Sequence, residues 1–464
     1  MIILDRTSKQ PLYIQIYKHI RDEIISDRLA EGHRLSATRV QAQALGVSRN
    51  TVEQAYLQLC AEGYLENRPG SGYYVRCIDP ELAGAAPAGE KDKSFHWEKP
   101  EHKKYRYDMK YGNCDMKSFP FVKWKRAMDK ALVNLEGKGL TAYGENCGDS
   151  KLRLYLSEYL ERSRGVNCSP QQIILTSGTQ LCLSLLCQLI RPECCAMEEP
   201  GYDGARYVFQ NHGAEILPIP AGEKGLDLEQ LKEHRPQAVY VTPSHQFPLG
   251  AVMPIQTRIE LLNLAEKNGF YIIEDDYDSI FRYAGKAVPS LQGLDRTDRV
   301  IYIGSISKTL SPSFRLAYMV LPAELKTQYD MWFSRYHNSV PAFMQEALRI
   351  FMEDGDWERH LRKVCLANKR KHDVFAAELE SGLGKGFRVL GKGAGLHLII
   401  ESSVLTTEEM LVRIEQNGVR VYGMEKYYFR GNTRNLVMAG FGGISLEALP
   451  DAARRITEAL SGAR

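Results

Sequence analysis

The apolar positions change rhythm once along this chain. In the first 77 residues they recur at helical spacing: Leu12, Ile16, Ile20 and Ile24 in "PLYIQIYKHIRDEIISDRL" fall on one helix face. "SATRVQAQALG" predicts a shorter helix ended by Gly46. "SRNTVEQAYLQLCAEGYL" predicts a third, opened by Ser48 as N-cap. "ENRPGSGYYV" then joins two short apolar pieces through Pro-Gly-Ser-Gly, the pattern of a hairpin or wing. Over residues 78–104 periodicity dissolves into Ala, Gly, Pro and charge, which predicts a linker.

Beyond the linker, short apolar runs such as "QIILTSG", "QAVYVTP", "FYIIEDDY" and "VIYIGS" alternate with helical stretches such as "TQLCLSLLCQLI" and "TRIELLNLAEKNG". That alternation predicts an α/β unit with a mostly parallel sheet covered on both faces. Such sheets place ligands at the loops outside the carboxyl ends of their strands. From about Asn338 the pattern turns to long helices with "GFRVLGKGAGLHLIIE" and "NLVMAGFGG", a smaller α+β lobe. The expected division is a mostly helical unit over 1–77, the linker over 78–104, and a second unit over 105–464. Within the second unit, a large domain is expected over about 140–335 and a small lobe mainly over 336–464.

Composition narrows the class. A chain of 464 residues, 44% hydrophobic and 25% charged, can bury the cores of two or three domains. A net charge of +3 excludes a generally basic nucleic-acid coat but not one small module that touches DNA. "MIILDRTSKQPLY" has no secretory pattern, and "LCLSLLCQLI" is about half a membrane span, so a cytoplasmic protein without membrane segments is expected. The ten cysteines are scattered without CxxC spacing, and neither a metal nor a redox centre is expected from them.

Three helices, a tight "LGVS" turn before the third and a following wing fit helix-turn-helix geometry. Ser48, Arg49, Asn50 and Thr51 open the third helix, where side chains reach base edges and the helix N-terminus meets phosphate. Arg39, and Arg68 beside "RPGSG", are candidates for the DNA backbone or minor groove. A helical protein–protein adaptor with Arg49 on a solvated face is the bland alternative. "PLYIQIYKHIRDEI", "LGVSRNTVEQAYLQLCAEGYL" and "GSGYYV" resemble the GntR-type winged helix-turn-helix over residues 10–75. That resemblance implies double-stranded operator DNA as a partner. "LSATR" departs from the family's usual Pro-Ser run: Ala37 removes a hydroxyl that would cap the second helix or meet phosphate, while Arg39 remains.

In the second unit, Lys308 follows the buried-strand candidate "VIYIG" within "IYIGSISKTLSPSFR". A surface turn explains most such lysines; a lysine that holds an aldehyde cofactor as a Schiff base is the sharper reading. Pyridoxal phosphate asks for a lysine, a carboxylate at its ring nitrogen, an aromatic face and donors around its phosphate. "IIEDDYD" offers Asp275 or Asp276 for the ring nitrogen and Tyr277 for the phenolic oxygen, though this pattern alone equally fits a magnesium site or a turn. "TSGTQ" puts Gly178, Thr179 and Gln180 at a helix N-terminus that favours an anion. Ser305, Ser307 and Arg315 add hydroxyls and a cation, and Tyr202 in "EPGYDGAR" offers a stacking ring.

From about Tyr105 onward the chain resembles the fold-type I, aspartate aminotransferase-like superfamily. Joined to the winged unit it resembles the MocR/GabR/PdxR group of GntR-type regulators, through "SISKTLSPSFR", "IIEDDYDSIFRY", "EEPGYDGAR" and "VTPSHQFPLG". The resemblance implies that Lys308 is the Schiff-base lysine, Asp275 the ring-nitrogen partner, Tyr277 the donor to the phenolic oxygen and Tyr202 the stacking ring. It places Gly178, Thr179, Ser305 and Arg315 around the phosphate. It also implies a homodimer in which Tyr143 reaches the neighbouring subunit's phosphate. Two departures stand out. Met438 in "NLVMAGFGG" occupies the region where an aminotransferase carries its substrate-carboxylate arginine, leaving Arg430 and Arg434 as weak substitutes for binding an effector. "PSHQFPLG" replaces the common "NPTG", so its asparagine is missing. The expected function is a transcription regulator that senses pyridoxal phosphate, an amine or an amino acid through aldimine exchange at Lys308, with residual half-transamination compatible. The alternative is an active class I/II aminotransferase with an accessory DNA-binding domain.

Overall fold

The computed structural model describes residues 2, 4–77, 105–137, 139–222, 225–283, 288–431 and 434–461. The chain divides into two compact units on either side of residue 102. The linker expected over 78–104 lies outside the described residues.

The first unit packs α1 (Leu12–Ile25), α2 (Thr38–Leu45) and α3 (Arg49–Ala61) with a wing of β1 (Leu65–Arg68) and β2 (Gly72–Val75). Ile16, Ile20 and Ile24 of α1 meet Val52, Ala55, Tyr56 and Leu59 of α3 in its core, closed by Leu65 and Val75 from the wing. The wing is antiparallel, with Leu65 opposite Val75 and Arg68 opposite Gly72. The Ser48 hydroxyl accepts the Thr51 N–H at 3.2 Å, capping α3. Ala37 stands at the N-cap of α2 without a side-chain cap, as its missing hydroxyl requires.

The second unit begins with β3 (Tyr107–Asp108). Its large sheet contains β4 (Ile173–Thr176), β5 (Cys194–Glu199), β6 (Glu215–Gly222), β7 (Gly225–Leu226), β8 (Ala238–Val241), β9 (Tyr271–Asp276), β10 (Val300–Ser305) and β11 (Ala317–Val320). Their order is β4-β11-β10-β9-β8-β5-β6-β7. The five strands from β10 to β6 run parallel, whereas β11 and β7 are antiparallel to their neighbours. Parallel strands buried on both faces need continuous apolar runs, and "AVYV" of β8 and "VIYIG" of β10 supply them. Helices α4 (Phe121–Asn134), α5 (Ser150–Arg164), α6 (Thr179–Ile190) and α7 (Asp203–Asn211) belong to this half.

The smaller lobe has an antiparallel sheet built from β12 (Phe387–Leu390), β13 (His397–Ser402), β15 (Tyr422–Gly423) and β16 (Asn435–Gly440), with β14 (Val419–Arg420) pairing β3 outside it. Met109, just after β3, is buried in this lobe's core with Phe375, Leu398 and Phe441. The Gly440 N–H donates to the Met109 carbonyl at 2.8 Å. Residues 107–111 are therefore held by the lobe that ends the chain, and this brings Tyr111 to the site.

Candidate functional site

A cavity of about 330 Å³ opens at the carboxyl ends of the parallel strands, lined by Lys308, Asp275, Tyr277, Tyr202, Thr179, Ser305, Ser307 and Arg315 among others. These residues come from four separate segments of sequence, and the sheet's parallel order gathers them at one edge. Lys308 follows β10, with its Nζ 4.1 Å from the centroid of the Tyr111 ring. A Cβ on Gly112 would lie 2.5 Å from that Nζ, so a side chain there would push the amine from its place. Burial holds Lys308 below the usual lysine range, while Cys114, Asp278 and Asp275 pull the other way.

Neighbouring residues of a strand point to opposite faces, and this separates the two adjacent aspartates at the end of β9. Asp276 turns from the cavity and takes the Arg164 Nε–H at 2.7 Å and the Tyr302 hydroxyl at 2.5 Å in a buried pair. Asp275 turns into the cavity. Its Oδ2 accepts the Tyr240 hydroxyl at 2.6 Å, and its buried Oδ1 has no hydrogen-bond partner. Burial pushes the Asp275 carboxyl up to about 7, with the Tyr240 bond opposing and Asp276 and Asp278 adding to the rise. A buried, unsatisfied oxygen at the end of an open cavity fits a ligand N–H.

At another end of the cavity, Gly178 caps α6 with φ 99°. A Cβ there would collide with the Arg315 guanidinium, so the bare backbone lets Arg315 close on the first turn of α6. Thr179 and Gln180 line the cavity beside it, and Ser305 Oγ accepts the Ser307 N–H at 3.1 Å. N–H groups of a helix's first turn, hydroxyls and a guanidinium lining one cavity suit an anion. Tyr202 sits at the N-cap of α7, and its ring meets Phe247 edge-on at 6.0 Å.

Tyr277 also lines the cavity, but its hydroxyl is engaged behind it, 2.8 Å from the His245 carbonyl and 2.9 Å from His245 Nδ1. That Nδ1 faces both oxygens of Asp278 at 2.9 and 3.0 Å, so its proton belongs to the carboxylate. The tyrosine proton is then directed to the His245 carbonyl. A Cβ on Gly395 would collide with the imidazole, so the small lobe leaves room for this buried Tyr277–His245–Asp278 unit.

Other residues singled out in the sequence lie elsewhere. Tyr143 is 81% exposed and stacks on His337 with centroids 3.9 Å apart. Arg434 pairs with Glu401 at 2.9 Å, and the Arg430 N–H donates to Glu199 at 2.7 Å; the cavity lining includes neither. Met438 is buried in β16 opposite Ile399. In the first unit Arg39, Ser48, Arg49, Asn50 and Arg68 are exposed and Thr51 half-buried. Arg49 lies 3.7 Å from Glu53, and Arg68 lies over Tyr74 and 3.1 Å from Glu66. Among the described residues no helix is long and apolar enough to cross a membrane, and no group of three His, Cys, Asp or Glu is placed to hold a metal.

Residues 12–75 match the family of bacterial regulatory proteins, gntR family, and residues 108–449 match aminotransferase class I and II. Along almost its whole length the chain is 36% identical to the uncharacterized HTH-type transcriptional regulator YdeL of Bacillus subtilis, covering 98% of each. It is 34% identical to the probable rhizopine catabolism regulatory protein MocR of Rhizobium meliloti, covering 96% of this chain and 92% of the other. The chain belongs to the MocR/PdxR-type regulators of the gntR family. The pyridoxine biosynthesis regulator PdxR of Corynebacterium glutamicum is 28% identical to this MocR-type chain over 96% of it and 95% of PdxR. The aminotransferase-like unit is similar to the α-aminoadipate aminotransferase LysN of Thermus thermophilus, at 26% identity and TM-score 0.68 over 76% of this chain and 92% of LysN. That enzyme was solved with N-(5'-phosphopyridoxyl)-L-leucine. An archaeal alanine:glyoxylate aminotransferase shares the fold, at TM-score 0.71 and 24% identity over 78% of this chain and 91% of the other.

Several lining residues escaped sequence reasoning: Tyr111, Tyr240, Thr242, Phe247, Lys426 and Tyr427. His245 and Asp278 stood inside quoted motifs without a role. Tyr111 and Lys426 come from opposite ends of the unit, and nothing local marks them.

Proposed function

We propose that this MocR-type regulator holds pyridoxal phosphate in the 330 Å³ cavity and reports its occupancy to DNA. The observation that carries the reading is the buried, unpartnered Oδ1 of Asp275, in one cavity with the Lys308 amine and the Gly178–Arg315 anion cradle. Lys308 binds the cofactor's aldehyde, Asp275 its ring nitrogen, and Thr179, Gln180, Ser305, Ser307 and Arg315 its phosphate. Tyr202 would lie against the ring, and Tyr277 would reach the phenolic oxygen by turning its hydroxyl from the His245 carbonyl. When bound, pyridoxal phosphate supplies an aldehyde carbon at which one amine replaces another. An arriving amine or amino acid would compete with Lys308 for that carbon, and the Tyr111 ring, 4.1 Å from Nζ at its centroid, would hold the lysine amine. Loading by the cofactor itself is the other signal this site can read.

In the first unit, Ser48, Arg49, Asn50 and Thr51 face the DNA major groove, and Arg39 and Arg68 face the backbone. A homodimer would carry two such units, and the exposed Tyr143 would complete the partner's phosphate site. The test is borohydride reduction after incubation with the cofactor, followed by peptide mapping. One pyridoxyl adduct on the Lys308 peptide is expected, and none in Lys308→Ala. An adduct on another lysine, or none at all, overturns the reading.

A further inference from the structure

Among the described residues three cations line the cavity: Lys308, Arg315 and Lys426. If the first two serve the cofactor's aldehyde and phosphate, Lys426 is the cation left over. It belongs to the short turn Glu425–Tyr427 of the small lobe, which is fastened to the large domain at several points. Arg206 donates to the Lys426 carbonyl at 2.6 Å and to the Tyr428 carbonyl at 3.0 Å. The Gly201 N–H donates to the Tyr427 carbonyl at 3.0 Å. Glu199 accepts the N–H groups of Phe429 and Arg430 at 2.9 and 2.7 Å. Tyr427 is buried edge-on against Phe247 at 5.0 Å.

The backbone at Lys426 is thus fixed, yet its ammonium is only loosely held. Nζ lies 3.7 Å from Asp203 Oδ2, beyond hydrogen-bond reach, and the side chain is 55% exposed. Nζ also lies 4.8 Å from the centroid of the Tyr427 ring, so an anion entering the cavity meets an ammonium held by two weak contacts, and a positioned backbone lowers the entropy of forming the new pair. The arginines that sequence reasoning offered for the task are occupied elsewhere or outside the lining, and Met438 is sealed in β16.

We infer that Lys426 is the carboxylate-binding residue of the effector site, so the effector is an amino acid rather than a simple amine or the cofactor alone. The inference rests on the cofactor reading above and specifies its ligand. The amine of the ligand is directed to the Lys308 end and its carboxylate to Lys426. Asp203 holds Lys426 at rest and competes with the ligand's carboxylate.

The experiment uses the full-length, cofactor-loaded protein and pairs of probes that differ by one carboxylate: L-phenylalanine against 2-phenylethylamine, and L-glutamate against 4-aminobutyrate. Visible absorbance is titrated with each, alongside the change in DNA binding measured by footprinting. Within at least one pair, the member with the extra carboxylate is expected to act at about tenfold lower concentration, about 1.4 kcal/mol. Lys426→Gln should shrink that ratio to about twofold, Lys426→Arg should restore it, and Asp203→Asn should widen it. A ratio that survives Lys426→Gln overturns the inference, as does a wild-type protein that responds equally to both members of each pair or to neither. A missing borohydride adduct on Lys308 before any amine is added overturns the cofactor reading itself. An adduct with no acid–amine difference overturns only the role of Lys426.

Discussion

Replacing Asp275 by asparagine keeps the side chain's shape, leaves Tyr240 an oxygen to donate to, and removes the charge. In the protein without cofactor, the carboxyl is pushed from 3.8 up to about 7, chiefly by burial. A raised carboxyl favours the folded state while it is protonated. That contribution is complete below about pH 4 and is lost as the pH rises through about 7. At 1.36 kcal/mol per decade, the ceiling is on the order of 4 kcal/mol, and neighbouring buried carboxyls that titrate in the same window reduce it. Asp275→Asn should therefore make the cofactor-free protein more stable at pH 8, by about 1–3 kcal/mol, and by less than half as much at pH 5. The cofactor-loaded protein should respond in the opposite sense. Loss of a charge-assisted bond worth about 1.5–3 kcal/mol weakens pyridoxal phosphate binding by about ten- to 150-fold. Denaturant unfolding at both pH values, with and without cofactor, reads the stability, and absorbance titration reads the affinity. If Asp275→Asn destabilises the empty protein at pH 8, or binds the cofactor within about twofold of wild type, Asp275 is a structural carboxyl and the reasoning fails.

Three further outcomes follow from single contacts. Gly178→Ala puts a methyl where the Arg315 guanidinium lies, at φ 99°, and should weaken pyridoxal phosphate at least tenfold while affecting phosphate-free pyridoxal much less; equal losses for both ligands would place the phosphate elsewhere. Arg164→Met leaves Asp276 buried without its 2.7 Å partner and should lower unfolding free energy by about 3–5 kcal/mol; a change below about 1 kcal/mol in denaturant melts contradicts the pairing. Arg49→Ala should weaken operator binding and reduce its salt dependence by about one counterion, leaving the cofactor spectrum as it was; unchanged DNA affinity would remove Arg49 from the interface.

Much of the architecture can be read from local pattern, because a helix face and a doubly buried strand each leave a short-range signature. The three helices, the wing and the run of β8, β9 and β10 are of this kind. The residues at the ends of those strands are legible for the same reason, since a strand's carboxyl end locates the ligand edge of a parallel sheet. What local pattern cannot supply is long-range placement. Tyr111 reaches Lys308 because β3 pairs with β14, some 300 residues later in the chain, a pairing too short to leave a periodic trace. Lys426 comes from a turn whose position depends on Arg206 and Glu199 in the other lobe. The choice between Asp275 and Asp276 was open to the residues alone, because both stand at the end of β9; only the strand's rotation aims one inward. Tyr277 lines the cavity, and its hydrogen bonds to His245 depend on a loop about thirty residues earlier.

The central claim is that what happens at Lys308 is read out at the DNA. Its most direct test is a footprint on the DNA upstream of the protein's own gene, with wild-type protein and Lys308→Ala, each without cofactor, with pyridoxal phosphate, and with pyridoxal phosphate plus the amino acids above. The wild-type footprint is expected to change on loading or on addition of an amino acid, while Lys308→Ala binds the same DNA in one unvarying way. A Lys308→Ala protein that responds as wild type does, or a wild-type footprint indifferent to every addition, would contradict the account.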